Sequence, residues 1–160
     1  MIKSEYFEKA LKVQNHPDAH NEIGKMYYSH LILEDAQKDK TLAFQEFKKA
    51  SYLGHTEAIT NLGICYAKGV GCDKNMHLAI NCFEEASGKG DIIAKYYLGY
   101  HCLYNATLTN VEEDYVKSAE LFREVIAKKP SYAKAYYYLG FMFENGFGVE
   151  KDFKTAFRYY

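Results

Sequence analysis

The sequence predicts an all-α fold made of repeated helix pairs, and two markers along the chain carry that prediction. A glycine that follows a leucine or an isoleucine recurs at intervals of 39, 36 and 41 residues, at Gly24, Gly63, Gly99 and Gly140. An alanine further along recurs at intervals of 36, 40 and 37 residues, at Ala43, Ala79, Ala119 and Ala156. Because both markers keep one period, the chain is predicted to hold four repeats.

The composition is that of a chain able to bury a core, since 48% of the 160 residues are hydrophobic and 26% are charged. Only 2 prolines are present, which permits long helices and argues against proline-rich disorder. Twenty Lys and Arg against 21 Asp and Glu leave a formal charge of −1. This balance argues against nucleic acid or an anionic membrane as the main partner.

The sequence has no stretch close to the roughly 20 uninterrupted apolar residues of a membrane span, and its start has no apolar signal region. We therefore expect no membrane insertion and a cytoplasmic location, with export or delivery to a host cell as the alternative. The cysteines show no C-x-x-C spacing, which favours small buried thiols over metal or redox chemistry. They are Cys65, Cys72, Cys82 and Cys102.

The first segment is predicted to be a capping helix over residues 3–13, because Phe7–Ala10 matches Phe83–Ala86 in the second helix of a repeat. We expect the remainder to form one repeat domain. Its repeats are predicted to span residues 18–54, 55–90, 91–130 and 131–160. The fourth repeat stops within its second helix, from which we expect either that the natural protein continues past Tyr160 or that this last helix is poorly supported.

The first helix of each repeat carries small or apolar residues at helical spacing, as Ala58 and Leu62 do in the second repeat and Ala135 and Leu139 in the fourth. The marker glycine lies within this stripe. Glycine inside a helix costs about 1 kcal/mol relative to alanine. Its recurrence therefore indicates that another backbone approaches closely there.

The second helix is predicted to begin at an Asp or Asn N-cap four residues before the marker alanine. The predicted caps are Asp39, Asn75 and Asp152, with Asp114 displaced by one. After the second helices of the first two repeats, Gly54 and Gly90 are placed where the chain needs a left-handed exit.

The two helices of a repeat are joined in two ways. Repeats two and four have Gly69-Val70-Gly71 and Gly146-Phe147-Gly148, which permit a tight turn with positive φ and an apolar plug. Repeats one and three lack these glycines and have three or four more residues between their markers. We predict that the additional residues form longer surface loops within 31–38 and 105–113.

The pattern Leu-Gly-x-x-Tyr-x-x-Gly-x-Gly-Val-x-x-Asp-x-x-x-Ala-x-x-aromatic resembles the Sel-1-like repeat, a relative of the tetratricopeptide repeat. Residues 139–160 match best, and residues 62–90 match with Cys72 in place of the valine and Asn75 in place of the aspartate. Repeats one and three depart from the family by lacking the glycine turn. The resemblance covers nearly the entire chain, and it implies a right-handed α-solenoid of antiparallel helix pairs.

The resemblance also implies a non-enzymatic adaptor or scaffold that binds a partner protein or peptide and needs no cofactor. Two alternatives stay open: a regulatory or targeting domain of a larger enzyme or multi-domain protein, and an element that self-associates through its C-terminal end. The sequence has no Gly-x-Ser-x-Gly, no His-Glu-x-x-His and no phosphate-binding glycine loop with lysine. His16 and His20 are four apart, but Pro17 disfavours one continuous helix through both, so solvated or capping histidines are preferred over a metal site.

The resemblance places the first helices on the concave face of the solenoid. There, positions three before, one after and four after the marker glycine are predicted to turn away from the core stripe. Several of the 16 tyrosines and 10 phenylalanines fall at these positions in repeats three and four, and exposed rings are typical of protein-binding hot spots. The alternative is that neighbouring repeats bury these rings, or that further C-terminal repeats cover them. The predicted partner-binding residues are Tyr28, Ile64, Tyr96, Tyr100, Leu103, Tyr137, Phe141 and Glu144.

Overall fold

A computed structural model describes residues 16–29 and 36–160 of the chain, with the backbone alone at 36–38. Within these residues the structure has eight helices and no strand. They are α1 (Pro17–Ser29), α2 (Ala36–Tyr52), α3 (Thr56–Lys68), α4 (Met76–Gly88), α5 (Ile92–Thr109), α6 (Glu112–Lys128), α7 (Ala133–Asn145) and α8 (Phe153–Tyr159). The predicted all-α class is confirmed, whereas the predicted capping helix at 3–13 lies outside the described residues.

The chain divides into two compact units, with the boundary between Lys89 and Gly90. In unit 1, α1 packs against α2, α2 against α3, and α3 against α4. In unit 2, α5 packs against α6, α6 against α7, and α7 against α8. None of the eight helices described here has both the length and the apolar content needed to cross a membrane.

Side chains before several helices accept hydrogen bonds from backbone N–H groups that the helix itself leaves without a partner. The predicted caps Asn75 and Asp152 are confirmed: their carboxyl or amide oxygens accept from Leu78 at 3.0 Å and from Lys154 at 2.9 Å. The structure adds two further caps. They are Asp91, which accepts from Ala94 at 2.7 Å, and His55, whose Nδ1 accepts from Ala58 at 3.1 Å.

The predicted caps Asp39 and Asp114 are wrong, because α2 and α6 begin earlier than the spacing suggested. Asp39 lies in the first turn of α2, which starts at Ala36. Asp114 lies in the first turn of α6, where its Oδ2 accepts a hydrogen bond from Asn105 Nδ2 at 2.8 Å. Both carboxylates still lie near a helix N-terminus, where the helix dipole favours negative charge.

The predicted loop at 105–113 is also wrong. Helix α5 continues to Thr109 and ends at Asn110, whose φ of 55° is left-handed, so only two residues connect it to α6. No glycine or proline interrupts this stretch, and the buried Ala106 gives the additional turn a place in the core. The predicted loop at 31–38 is wrong for residues 36–38, which belong to α2, and its earlier part includes residues outside the described ones.

The glycine turns of repeats two and four place each turn directly against the preceding second helix. All four glycines have positive φ, between 63° and 75°. A Cβ on Gly71 would lie 2.2 Å from the Lys40 carbonyl oxygen, and one on Gly148 would lie 2.4 Å from the Tyr115 carbonyl carbon. Between the glycines, Val70 is buried and Phe147 stacks on Tyr115 at a centroid distance of 4.6 Å. Backbone conformation favours glycine at all four positions, and lack of space also requires it at Gly71 and Gly148.

At each marker glycine the nearest neighbour is an aromatic ring. The predicted approach of another backbone is present at Gly140, where a Cβ would also lie 3.2 Å from the Ala156 carbonyl oxygen, and backbone is not among the nearest atoms at the other three. A Cβ at the marker would lie 2.6 to 3.1 Å from that ring. The pairs are Gly24 with Phe47, Gly63 with Phe83, Gly99 with Phe122, and Gly140 with Tyr160. In each repeat the glycine therefore makes room for one ring of the second helix.

These rings correct one repeat marker. Phe47, Phe83 and Tyr160 each lie four residues after the marker alanine, whereas the residue four before Phe122 is Ser118, and not Ala119. Ser118 is fully buried and its hydroxyl donates to the Gly99 carbonyl oxygen at 2.8 Å. With Ser118 as the marker, the interval from the glycine is 19 residues in repeats one and three and 16 in repeats two and four.

Candidate functional site

Two of the predicted partner-binding residues are in the core. Tyr96 is 6% exposed and Leu103 is 5% exposed, so the interpretation that they turn away from the core is wrong. Helix α7 and the residue before it cover Tyr96: its ring lies 5.0 Å from that of Tyr132 and 6.2 Å from that of Tyr138. Tyr96 therefore packs against a neighbouring repeat, which is the alternative to partner binding.

The position three residues before the marker glycine is an interior position in the first three repeats. Asn21, Thr60 and Tyr96 are 1%, 2% and 6% exposed. Asn21 Oδ1 accepts a hydrogen bond from Asn61 Nδ2 at 3.0 Å, so the buried amide oxygen of Asn21 has a hydrogen-bond partner. In the fourth repeat the same position is Tyr137, and its side chain is 55% exposed.

Three further predicted residues are half-buried. The Tyr28 ring lies 6.4 Å from that of Phe47, and the Phe141 ring lies 5.8 Å from that of Phe147. Ile64 is also half-buried. These side chains contribute to packing and present only part of their surface.

The remaining predicted residues, Tyr100, Tyr137 and Glu144, are exposed, and the two rings belong to a continuous row. Ring centroids are 5.4 Å apart from Tyr100 to Tyr138, 5.3 Å from Tyr138 to Tyr137, and 5.9 Å from Tyr137 to Tyr160. We call these four residues the tyrosine strip. It joins the outer side of α5 to α7 and to the end of α8.

The middle of the tyrosine strip is anchored in the core. The Tyr138 ring stacks on buried Phe122 at 5.5 Å with an interplanar angle of 12°. At the far end, the Tyr160 hydroxyl donates to Glu144 Oε2 at 2.7 Å. Burial raises the pKa of Tyr138, so its phenol stays protonated at neutral pH. The strip thus offers aromatic surface together with tyrosine hydroxyls, and the hydroxyl of Tyr160 is held by a hydrogen bond.

Exposed rings continue from the strip onto α8. Phe153, Phe157 and Tyr160 are 64%, 83% and 59% exposed. Together with Tyr137 they form what we call the end face. Phe153 and Phe157 are not among the residues predicted from the sequence. Alignment on Ser118 and Ala156 pairs them with Tyr115 and Ala119, which are both buried in the third repeat.

A groove of about 440 Å³ lies between the start of α7 and the end of α8. Four tyrosines line it, together with Pro130, Ser131 and Ala133. The tyrosines are Tyr136, Tyr137, Tyr159 and Tyr160. None of these side chains carries a charge at neutral pH, so the groove suits an apolar or aromatic group.

Several ionisable groups away from this surface are paired or buried. His20 Nδ1 lies 2.6 Å from Glu46 Oε2, and His55 Nε2 lies 3.1 Å from Asp18 Oδ1. Burial raises the pKa of the Cys65 thiol to about 12, so it is protonated at neutral pH and unsuited to nucleophilic attack. Among residues 16–29 and 36–160, no group of three or more His, Cys, Asp or Glu side chains is arranged to hold a metal ion.

Several solved structures share this fold. A Sel1 repeat protein from Oxalobacter formigenes is 31% identical and superposes with a TM-score of 0.73 over 91% of this chain and 56% of its own. The protective antigen c5321 of uropathogenic Escherichia coli, which displays an SLR fold, is 25% identical with a TM-score of 0.75 over 96% of this chain and 31% of its own. The predicted α-solenoid class is thereby confirmed.

Relatives known by sequence are longer proteins. The chitin synthase regulator SKT5 of Saccharomyces cerevisiae is 28% identical over 144 residues, which are 87% of this chain and 20% of that protein. The DAP3-binding cell death enhancer 1 of Mus musculus is 30% identical over 82 residues, 51% of this chain and 15% of that protein. The chain therefore spans about a fifth or less of the length of these relatives.

The Sel1 repeat family matches the chain four times, at residues 17–55, 56–91, 92–124 and 133–160. This repeat is a non-catalytic fold that generally mediates protein–protein interaction. Because the four matches cover most of the 160 residues, the chain belongs to the Sel1 repeat family.

Proposed function

We propose that this chain is an interaction module that binds a partner protein through the tyrosine strip of unit 2. The observation that carries the proposal is the exposure of two rings in fixed positions: Tyr100 is 41% exposed and Tyr137 is 55% exposed, on either side of the anchored Tyr138. Aromatic residues held in place lose little conformational entropy on binding and dominate many interfaces.

The strip has the form of an elongated site. It crosses from α5 to α7, so an extended segment or a short helix of a partner would lie across both first helices. Exposed Lys134 and Glu144 at its edge would select the charge and orientation of that segment. Tyr96 and Leu103 would contribute by supporting the strip from the core, and not by touching the partner.

The proposal is tested by affinity capture with the full chain, followed by quantitative mass spectrometry. The double variant Tyr100→Ala, Tyr137→Ala should lose on the order of 2–4 kcal/mol of binding free energy, because it removes two hot-spot rings. Its helical circular dichroism should match that of the wild type, since both side chains are exposed.

The control is Tyr52→Ala, which removes a 78% exposed ring from α2 in unit 1. This variant should retain every captured partner. If the folded double variant retains its partners at wild-type affinity, the tyrosine strip is not the binding surface and the proposal fails.

A second candidate is suggested by the relatives' names and lengths. SKT5 is named as a chitin synthase regulator, and the chain matches only 20% of it. We propose as an alternative that the chain is a regulatory module that binds an enzyme and changes its activity. In that case the main captured protein would be an enzyme, and addition of the chain would change the turnover of that enzyme.

A further inference from the structure

The outer face of α5 carries a row of exposed apolar side chains. Tyr100, Tyr104 and Leu108 follow one another at intervals of four residues, so they lie on one side of the helix. They are 41%, 55% and 68% exposed, although the following helix pair, α7 and α8, is in place. We call these three residues the α5 stripe. Exposed apolar side chains gathered on one surface are characteristic of an interaction site.

The stripe depends on the additional length of α5. Helices α3 and α7 end five residues after their marker glycines, at Lys68 and Asn145, whereas α5 ends ten residues after Gly99. Leu108 belongs to this additional turn. Packing of the turn on the core uses Ala106, which is fully buried, and does not need an apolar side chain at the exposed position of Leu108.

Hydrogen bonds hold the additional turn in place. Asn105 Nδ2 donates to Asp114 Oδ2 at 2.8 Å, which joins the turn to the start of α6. The Thr107 hydroxyl donates to the Tyr104 carbonyl oxygen at 2.7 Å. The Thr109 hydroxyl donates to the Asn105 carbonyl oxygen at 3.0 Å. The stripe is therefore presented on an ordered helix, which reduces the entropy that a partner must remove on binding.

No unpaired charge lies along the stripe. Helix α5 contains no Asp, Glu or Arg, and its one lysine, Lys95, is paired with Glu124 of α6. Burial lowers the pKa of His101, so this imidazole is uncharged at neutral pH. A partner that covers the stripe therefore meets apolar and neutral polar groups along its length.

Negative charge lies at one end of the stripe. Glu112 and Glu113, just after α5, are exposed, and neither forms an ion pair with another described residue. Lys117 lies one turn further along α6 and leaves residues 109–117 with a net charge of −2. Because the carboxylates lie beside an apolar surface, they would attract Lys or Arg of a segment that covers it.

We propose that the α5 stripe docks an amphipathic helix of a partner protein, apolar on the side that faces α5 and carrying Lys or Arg at the end that meets Glu112 and Glu113. Apolar side chains three and four residues apart on such a helix match the spacing of the stripe. The stripe shares Tyr100 with the tyrosine strip, so this inference rests on the proposed function, and it adds the shape and the charge of the partner.

The test titrates the full chain into a fluorescein-labelled model peptide, an eighteen-residue helix of alanine and glutamine with four leucines along one face and three lysines at one end. Fluorescence anisotropy should rise to saturation. The double variant Tyr104→Ala, Leu108→Ala should weaken binding on the order of tenfold. Both side chains are exposed, so the fold is retained. Phe157→Ala, which removes an 83% exposed ring outside the stripe, is the matched control with unchanged binding.

A second peptide, with glutamates in place of the lysines, tests the charge. The wild type should bind it several-fold more weakly than the lysine peptide, and Glu112→Lys, Glu113→Lys should reverse this preference. Lysine is unfavourable in the first turn of a helix. Glu112→Gln, Glu113→Gln is therefore measured as well, and it should reduce the preference for the lysine peptide without reversing it.

Four results would overturn the inference. Three of them are the absence of saturable binding, equal binding by the Tyr104→Ala, Leu108→Ala variant, and equal affinity of the wild type for the lysine and glutamate peptides. The fourth is self-association of the wild type in sedimentation that is lost in the Tyr104→Ala, Leu108→Ala variant, because the occupant would then be a second copy of this chain.

Affinity capture separates the inference from the proposed function. Partners that depend on Tyr137, and not on Tyr104 and Leu108, would leave the proposed function standing and overturn the helix inference. Partners that depend on Tyr104 and Leu108, and that Tyr137→Ala retains, would support docking on the α5 stripe while the tyrosine strip fails as the binding surface.

Discussion

At two equivalent repeat positions, the junction between helix pairs is polar in unit 1 and aromatic in unit 2, while apolar side chains such as Phe44 and Tyr66, whose rings lie 5.4 Å apart, also pack across the junction in unit 1. In unit 1, Asn61 donates to buried Asn21 at 3.0 Å. Counted from the marker glycine, these positions correspond to Tyr138 and Tyr96 in unit 2, whose rings lie 6.2 Å apart. At these positions one junction has a directional hydrogen bond and the other has packed rings.

A third position shows the same difference. His55 in unit 1 corresponds to Tyr132 in unit 2. His55 caps α3 through Nδ1 and approaches Asp18 Oδ1 through Nε2 at 3.1 Å, whereas the Tyr132 ring packs on Tyr96 at 5.0 Å. The repeat therefore determines which positions meet. Polar or aromatic side chains can occupy these positions, provided that buried polar atoms have hydrogen-bond partners.

The largest expected loss of stability follows from removing a ring of the aromatic junction. Phe122 is fully buried, lies on Gly99 and stacks on Tyr138. Phe122→Ala should lower the free energy of unfolding by about 3–5 kcal/mol, because it leaves a cavity and removes ring contacts. Urea unfolding measures this. Phe157→Ala, which removes an 83% exposed ring, should cost less than about 0.5 kcal/mol. Similar losses for the two variants would contradict the assigned core.

The next largest loss of stability is expected from removing the hydrogen bond between Asn61 and Asn21. Asn61→Ala removes the donor to Asn21 Oδ1 and leaves a buried amide without that partner. The expected loss is about 1–3 kcal/mol, the range for a buried polar group deprived of its hydrogen bond. Asn81→Ala is the matched control, since Asn81 is exposed on α4. If thermal or urea unfolding shows no difference between the two variants, the Asn21–Asn61 bond does not hold this junction.

The smallest effect concerns pH and the aromatic junction. Burial raises the pKa of Tyr132 to about 12, whereas tyrosine in the unfolded chain ionises near 10.0. Between these values Tyr132 has lost its proton in the unfolded state and keeps it in the folded state. The contribution of Tyr132 to the free energy of unfolding is therefore fully present below pH 10 and falls as the pH rises towards 12. Tyr132→Phe should make the melting temperature less sensitive to pH in this window. Tyr104→Phe, at a 55% exposed position, is the control, and identical slopes for the two variants would contradict the prediction.

Local features of the fold were accessible from the sequence because they depend on neighbouring residues. The glycines at 69, 71, 146 and 148 take positive φ, and Gly54 and Gly90 do so as well, as their positions after helices predicted. Asn75 and Asp152 cap their helices for the same local reason. Asp39 is not a cap because α2 starts three residues before it. Asp114 is not a cap because no glycine turn stops the preceding helix in repeat three, and α6 starts before it.

The candidate surface was only partly accessible. Tyr100 and Tyr137 are exposed at positions that the helical spacing selected, whereas Tyr96 and Leu103, selected by the same rule, are buried. The rule considers one helix at a time, and the burial of Tyr96 depends on Tyr132 and Tyr138, about 40 residues further along. Phe153 and Phe157 escaped notice because the candidate positions were taken from the first helices alone, and both residues lie on α8, a second helix.

By itself, the sequence determined the period, the helical class, the turns and the family, since all of these follow from short-range patterns of glycine, alanine and apolar residues. The tertiary structure alone decided which ring fills each marker glycine, that Ser118 is the third marker, and whether a tyrosine lies in the core or on the surface. The physical reason is that burial at a given helix position depends on the helix pair that packs over it. Tyr96 has such a cover in α7, and its equivalent Tyr137 is 55% exposed.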